Sequence, residues 1–222
     1  MYSLVRSLTS PAALCGLAAC IGAGLSGGCR VKDPPPITAT WTDAFDRSAI
    51  GSDYFQTGAG FAVVDGALLA KGGLNHPLWL RKKLPRDVKI SFTATAETAI
   101  GDIKVELFGD GLAFDEDGGA YTSTGYVVIF GGWNNSKSMI AKGDEHGGQL
   151  AQRDDVRVTP GVPYVFTIER RGGTISWYLD AATEPFLRFV DAAPLAGAGH
   201  EYFGFGNWQA PTRFDNLVIT PL

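Results

Sequence analysis

The chain has few of the side chains that supply thiol and imidazole chemistry. It contains three cysteines and three histidines in 222 residues, and all the cysteines (Cys15, Cys20 and Cys29) precede residue 30. The remainder therefore has no disulfide, no thiol nucleophile and no cysteine metal site. A region without such cross-links depends on its hydrophobic core, and the roughly 180 residues after residue 39 are enough to form one.

The sequence also lacks an excess of basic side chains, with 19 Lys and Arg against 23 Asp and Glu. Removal of a leader that contains Arg6 would leave 18 basic side chains and a net charge of −5. Nucleic acids and anionic lipid surfaces bind clustered Lys and Arg. The longest basic cluster, residues 81–83, is instead typical of a solvated strand end. We therefore expect no nucleic-acid partner and no direct binding of the domain to a membrane surface. We also expect a monomer.

Sequence signatures of several enzyme classes are missing after residue 40. There is no Gly-x-Ser-x-Gly elbow, no His-Glu-x-x-His zinc motif, no phosphate-binding Gly-x-x-x-x-Gly-Lys and no Gly-x-Gly-x-x-Gly. No window of 12 or more residues carries a helical stripe of apolar side chains. The missing helical stripe favours an all-β domain, and the missing motifs do not decide whether it is an enzyme.

The first 29 residues are typical of an export signal. Arg6 is followed by an uncharged apolar run, from Pro11 to Leu25, that is too short and too rich in Gly and Ala to span a bilayer. Residues 17–20 (Leu-Ala-Ala-Cys) resemble a bacterial lipobox. Residues 26–29 (Ser-Gly-Gly-Cys) fit that motif less well, but they lie where the run gives way to charged residues.

We therefore predict that residues 1–29 are a lipoprotein signal peptide and the start of a tether, with lipid on Cys20 or Cys29. An ordinary secretory peptide is the alternative. Neither cysteine is followed by Asp, which is the inner-membrane retention signal of bacterial lipoproteins. This resemblance implies an exported protein anchored in the cell envelope, at the outer membrane or the cell surface.

A Pro-rich linker is predicted over residues 30–40, followed by one domain over 41–222. Apolar and polar residues alternate with period two in Val88–Thr95, Asp102–Leu107 and Tyr164–Glu169, which indicates strands with one buried face. The pair Gly172-Gly173 permits a tight hairpin. Together these patterns predict an all-β, two-sheet antiparallel sandwich or jelly roll.

Three segments resemble the concanavalin A-like lectin/glucanase superfamily. Residues 41–46 resemble its opening strand, residues 158–180 its turn, strand and Gly hairpin, and residues 204–219 its closing strand. The resemblance implies a jelly roll in which the closing strand lies beside the first and sugars bind across one concave sheet. The chain is most similar to the heparinase-like and keto-disaccharide-hydrolase-like bacterial domains. It lacks the acid-x-acid-x-x-acid signature of the laminarinase-type members.

Asp102, Lys104 and Glu106 are the first candidates for a sugar site. They share one strand face, opposite the apolar stripe that begins at Ile103. Neighbouring carboxylates of this kind can serve as an acid and a base. A charged face turned to solvent is the alternative interpretation.

Sugar recognition needs aromatic surface for ring faces and polar groups for hydroxyls. The Gly-Gly turn before Trp133 and Asn134 suits this task. Trp208, with its neighbours Asn207 and Gln209, could add an aromatic and amide edge. Glu145 and His146 adjoin a flexible turn, where His146 could act as a base. Further candidates are His76 and Trp79, although each of these residues also has an ordinary structural interpretation.

The acid-rich loop from Asp110 to Asp117 could collect oxygen ligands for Ca²⁺, but it lacks the alternating ligand spacing of an EF-hand. No other metal site and no cofactor is expected.

Three functions remain open from the sequence. A lipid-anchored carbohydrate-binding domain is the first. A glycoside hydrolase or lyase acting on a polysaccharide or modified disaccharide through Asp102, Glu106 or His146 is the second. A structural or protein-binding envelope lipoprotein is the third.

Overall fold

Fifteen strands and one four-residue helical turn make up the part of the chain that the computed structural model describes, residues 33–115, 121–147 and 150–222. Residues from Pro34 onward belong to one compact unit. The strands are β1 (Trp41–Asp43), β2 (Tyr54–Gln56), β3 (Phe61–Val64), β4 (Ala67–Ala70), β5 (Leu78–Leu80), β6 (Val88–Ala96), β7 (Ile103–Gly109), β8 (Thr122–Gly131), β9 (Lys137–Asp144), β10 (Leu150–Arg153), β11 (Tyr164–Arg171), β12 (Thr174–Leu179), β13 (Leu187–Val190), β14 (Tyr202–Gly206) and β15 (Thr212–Pro221); the helical turn, α1, is Gly132–Asn135.

The strands form two antiparallel sheets. One sheet has eight strands in the order β13-β12-β11-β6-β15-β4-β3, with β1 also paired to β15. The other has seven, in the order β10-β9-β8-β7-β14-β5-β2. The pairing of β1 with β15 sets the opening strand beside the closing strand, as the superfamily resemblance implied. The predicted all-β, two-sheet antiparallel architecture is confirmed.

The main hydrophobic core lies between the sheets and follows the predicted alternation. In β6, Ile90 and Phe92 are buried while Lys89 is exposed. Phe92 stacks on Phe166 with 4.8 Å between ring centroids, and Phe166 stacks on Trp177 at 5.4 Å. Stacked aromatic pairs add to the free energy gained from burying their area. The core therefore joins β6, β11 and β12 tightly.

The outer face of the seven-stranded sheet, which points away from this core, is also largely covered. In β7 the side chains of Lys104 and Glu106 point to this face, yet their exposed fractions are only 2% and 1%. Every residue of β7 is buried. The interpretation of this face as a charged solvent surface is therefore wrong, because other segments of the chain pack over it.

The predicted linker 30–40 ends earlier than expected. Ile37 is 5% exposed and packs in the main core, and its backbone N–H donates to the Lys83 carbonyl at 2.9 Å. The predicted signal peptide, with Cys20 and Cys29, lies outside the described residues. Within the described ranges no helix is long and apolar enough to cross a membrane.

Candidate functional site

A cleft of about 370 Å³ lies on the outer face of the seven-stranded sheet. Its walls come from the segment before β5, the start of β7, the end of β8 with the following turn, the segment after β9 and the loop after β14. The lining residues are Asn75, Ile100, Asp102, Lys104, Ile129, Trp133, Asn134, Glu145, His146, Trp208, Gln209 and Ala210.

Seven residues proposed from the sequence meet in this cleft although they come from four separate segments. They are Asp102, Lys104, Trp133, Asn134, Glu145, His146 and Trp208. Three others do not line it: Glu106, His76 and Trp79.

A buried ion pair forms the polar base of the cleft. Lys104 Nζ lies 2.8 Å from Glu145 Oε2 and donates to Asn75 Oδ1 at 3.0 Å. Gly206 leaves room for the lysine stem, because a Cβ there would come within 2.8 Å of Lys104 Cγ. Asn75 and the space at Gly206 thus fix the position of the lysine beside Glu145. Removing either charge would leave the other one buried and uncompensated.

Asp102 occupies the cleft just before β7 and is only partly exposed. Burial raises the pKa of its carboxyl, and the charge of Glu145 acts in the same direction. The charge of Lys104 and the backbone N–H of Trp208 oppose that rise. Asp102 is therefore easier to protonate than an ordinary aspartate, which suits a proton donor.

The turn α1 that carries Trp133 is left-handed. Trp133, Asn134 and Asn135 have φ of 50°, 55° and 60°, a region that L-residues adopt at a cost of the order of 1–2 kcal/mol each. Asn135 fastens the turn to the neighbouring loop. Its Nδ2 donates to the Val158 carbonyl at 2.7 Å, and its Oδ1 accepts the Val158 N–H at 2.8 Å. A tryptophan held in this conformation is unusual and points to a role beyond packing.

Trp133 is half-buried at the wall of the cleft. It packs on a small apolar cluster of the outer face, formed by Val127, Ile129, Met139 and Ala141. Its ring meets the exposed His146 edge-on at 5.5 Å between centroids. Trp208, also half-buried, is a second aromatic wall of the cleft. The cleft thus combines indole surface with carboxylate, ammonium, imidazole and amide groups.

Glu106 is placed differently from the prediction. Its carboxylate lies on the outer face but accepts hydrogen bonds from the Tyr121 hydroxyl at 2.8 Å and the Ser123 hydroxyl at 2.6 Å. Burial raises its pKa to about 7, against the effect of these two donors. Because it is enclosed by these groups, Glu106 does not share the cleft with Trp133.

Trp79 and His76 have structural roles in place of the predicted sugar contacts. Trp79 is fully buried, and Gly109 and Gly204 leave the space that its ring fills. Its indole N–H donates to the Ala113 carbonyl at 3.1 Å. The His76 ring stacks on Phe114 at 5.0 Å. Both side chains hold the segments that cover the sheet.

In the predicted calcium loop, the Asp110 carboxylate caps a turn. Its Oδ1 accepts the backbone N–H groups of Leu112 and Ala113 at 2.8 and 2.7 Å. Glu116 and Asp117 lie outside the described residues. Among the residues that are described, no three His, Cys, Asp or Glu side chains are grouped to hold a metal. Calcium binding stays a prediction.

Sequence reasoning missed Asn75, Ile100, Ile129 and Ala210, whereas Gln209 belongs to the segment proposed together with Trp208. Asn75 adjoins the candidate His76, so its amide group was a usable signal. Ile129 belongs to an apolar strand run that gives no sign of which side chains face a cleft.

Solved structures with the same fold include sugar-binding and sugar-cleaving proteins. The carbohydrate-binding module CBM66 from Bacillus subtilis superposes with a TM-score of 0.56 at 13% identity, covering 78% of this chain and 98% of that one. A galectin-like protein from Bacillus subtilis gives 0.60 at 13%, covering 82% and 96%. A β-1,3-glucanase from Mycobacterium marinum gives 0.52 at 11%, covering 81% and 97%. These likenesses confirm the jelly-roll fold.

The comparison with curated proteins gave no significant match. A family profile, described as Farnesoic acid O-methyl transferase, matches residues 86–217. This range runs from near the start of β6 into β15 and contains every cleft residue except Asn75. The activity in a family's name does not follow from shared fold. Because the match covers more than half of the chain, the protein belongs to this family.

Proposed function

We propose that the protein binds a carbohydrate in the cleft. The observation that carries the proposal is the presence of two half-buried tryptophans, Trp133 and Trp208, beside a partly exposed carboxyl and several amides. Indole faces pack against the apolar faces of sugar rings, while carboxylates and amides bond hydroxyls. A volume of about 370 Å³ falls within the range of small-molecule sites.

Structures that share the fold support the proposal. Proteins described as a carbohydrate-binding module and as a β-1,3-glucanase share the jelly roll at 11–13% identity. One fold hosts many functions, so this likeness makes a sugar ligand a hypothesis that the residues of the cleft must support.

The test is a glycan array followed by isothermal titration of the best ligand. We expect Trp133→Ala and Trp208→Ala each to weaken binding about tenfold or more, because each removes stacking surface. Trp41→Ala is the matched control, since Trp41 is another half-buried tryptophan but lies on the eight-stranded sheet. Unchanged affinity in both cleft variants would refute the proposal and favour the structural or protein-binding alternative.

Glycan cleavage is a second candidate, favoured by Asp102. Its raised pKa makes it a proton donor to a leaving oxygen, and the carboxylate of Glu145, paired with Lys104, lies in the same cleft. The resemblance to keto-disaccharide-hydrolase-like and heparinase-like domains supports the same class. In this reading Glu145 replaces Glu106 as the second carboxylate.

Reducing-sugar release separates the two candidates. If the protein is a hydrolase, Asp102→Asn should abolish turnover while leaving ligand affinity within a few-fold, because the amide still bonds hydroxyls. If wild type releases no sugar from the glycans that it binds, the enzyme candidate is ruled out and the binding function stands.

We further propose that this domain is displayed on the cell envelope, at the outer membrane or the cell surface, by lipid on Cys20 or Cys29. The lipobox-like sequences and the charge-poor apolar run support this placement.

A further inference from the structure

We infer that the cleft selects uncharged glycans and rejects those that carry carboxylate or sulfate groups. The inference rests on the proposed carbohydrate binding and names the ligand class of that same site.

Among the described cleft residues, the charge of the one lysine is already balanced by a carboxylate. Lys104 is the only Lys or Arg in the lining, and its ammonium lies 2.8 Å from the Glu145 carboxylate and 3.0 Å from the Asn75 amide oxygen. It is buried beneath the cleft and held by two partners. Among the lining residues, an anionic group of a ligand therefore meets no uncompensated ammonium or guanidinium. Lys137, whose Nζ lies 5.8 Å from the Trp133 ring centroid, is outside the lining.

The remaining charges do not favour an anion either. Asp102 and Glu145 supply two carboxyls against the charge of Lys104. His146 Nε2 lies 3.7 Å from Glu145 Oε1. If His146 carried a second proton and Asp102 were ionised, the two positive groups would only equal the two negative ones. At a pH where Asp102 is ionised, a carboxylate of a ligand would enter next to this charge in a partly desolvated site, where like charges repel strongly.

A neutral sugar suits these groups. Its hydroxyls can donate to the oxygens of Asp102 and Glu145 and accept from the amides of Asn134 and Gln209, while its apolar face meets the indoles. The same oxygens have nothing to accept from a carboxylate. Discrimination follows from the repulsion as well as from the lost hydrogen bonds.

The experiment compares matched pairs of oligosaccharides that differ only at C6, as a primary alcohol or as the carboxylate obtained by its oxidation. Titration of the full chain at pH 8 should show the neutral member binding about tenfold or more tightly. If the carboxylated member binds equally or better, the inference is overturned and carbohydrate binding stands. If no member of any pair binds, the proposed function itself fails.

A variant tests the cause of the selection. Glu145→Gln removes the partner of Lys104 and should shift the affinity ratio toward the carboxylated member by about tenfold. Glu97→Gln is the control, because it makes the same charge change at the exposed Arg213 ion pair. An unchanged ratio in a folded Glu145→Gln protein would overturn the mechanism. If that variant does not fold, the wild-type ratio alone decides the inference.

Discussion

Two carboxyls near one another in the sequence occupy different environments in the outer sheet. Asp102 precedes β7 and lines the cleft, whereas Glu106 lies within β7 and is bonded by Tyr121 and Ser123. Burial raises the pKa of both groups. Only Asp102 is placed to meet a ligand, so the pKa of Glu106 bears on stability.

Glu106 should make the protein less stable as the pH rises from about 4.5 to 7. Its pKa is 4.5 in a free chain and about 7 in the fold, so the native state holds the proton more tightly across this window. Stability is therefore greatest below the unfolded value and falls by up to about 3 kcal/mol as the pH passes through the folded value. Chemical unfolding at intervals from pH 4.5 to 8 measures this fall.

Glu106→Gln isolates the contribution of this carboxyl. The neutral amide has no proton to lose, and its oxygen can still accept from Tyr121 and Ser123. The fall in unfolding free energy with rising pH should therefore be smaller in the variant than in wild type. Lys104, Glu145 and Asp102 are unchanged in both proteins. The exposed Glu97→Gln should keep the full fall. A fall of equal size in Glu106→Gln would show that this carboxyl is not its source.

At the scale of elements, the left-handed turn Gly132–Asn135 places Trp133 and Asn134 in the cleft wall. It follows β8 directly, and two glycines at this junction pack where a Cβ would collide: Gly131, the last residue of β8, against Val158, and Gly132, the first of the turn, against Ile129. Asn135 ties the turn to Val158 through both of its amide atoms. The turn holds Trp133 at the cleft wall through contacts that are remote from any ligand.

Replacing Asn135 by Ala should loosen this turn. Two buried hydrogen bonds are lost and the Val158 backbone groups are left without these partners, which should cost about 2–4 kcal/mol of stability. Ligand affinity should fall as well, because Trp133 is no longer held in its left-handed conformation. Thermal melting and titration of the same samples measure both effects.

Asn134→Gly is the control for this prediction. Asn134 is exposed, and glycine adopts positive φ freely, so the conformation of the turn should persist. Equal loss of stability in the Asn134 and Asn135 variants would mean that the Val158 contacts do not fasten the turn.

At the scale of the whole molecule, the testable feature is the predicted lipid anchor. We predict that lipid on Cys20 or Cys29 causes the protein to partition into detergent. Replacement of the modified cysteine by Ser should move it to the aqueous phase, because the acyl chains are the membrane anchor. Cys15→Ser is the matched control and should leave partitioning unchanged. Detergent-phase partitioning of all three variants gives the measurement. If neither Cys20→Ser nor Cys29→Ser releases the protein, these cysteines are not its anchor.

The period-two alternation of residues 88–95 and 164–169 was enough to predict strands and their buried faces, because alternation is a local consequence of strand geometry. The sandwich followed from several such strands joined by glycine turns. Trp133, Glu145 and Trp208 were also recognisable as candidates, since an aromatic or charged side chain beside a flexible turn is a local signal. That these three side chains line one cleft was not recognisable from the sequence.

Only the tertiary structure decided which polar side chains face a ligand. In β7 the alternation places Lys104 and Glu106 on the same face, yet one lines the cleft and the other is enclosed by Tyr121 and Ser123. Trp79 is covered in the same way by the loop that contains Ala113. These differences arise from segments distant in sequence that pack over the outer face. A strand's own pattern determines the face of each side chain, whereas what covers that face depends on long-range packing.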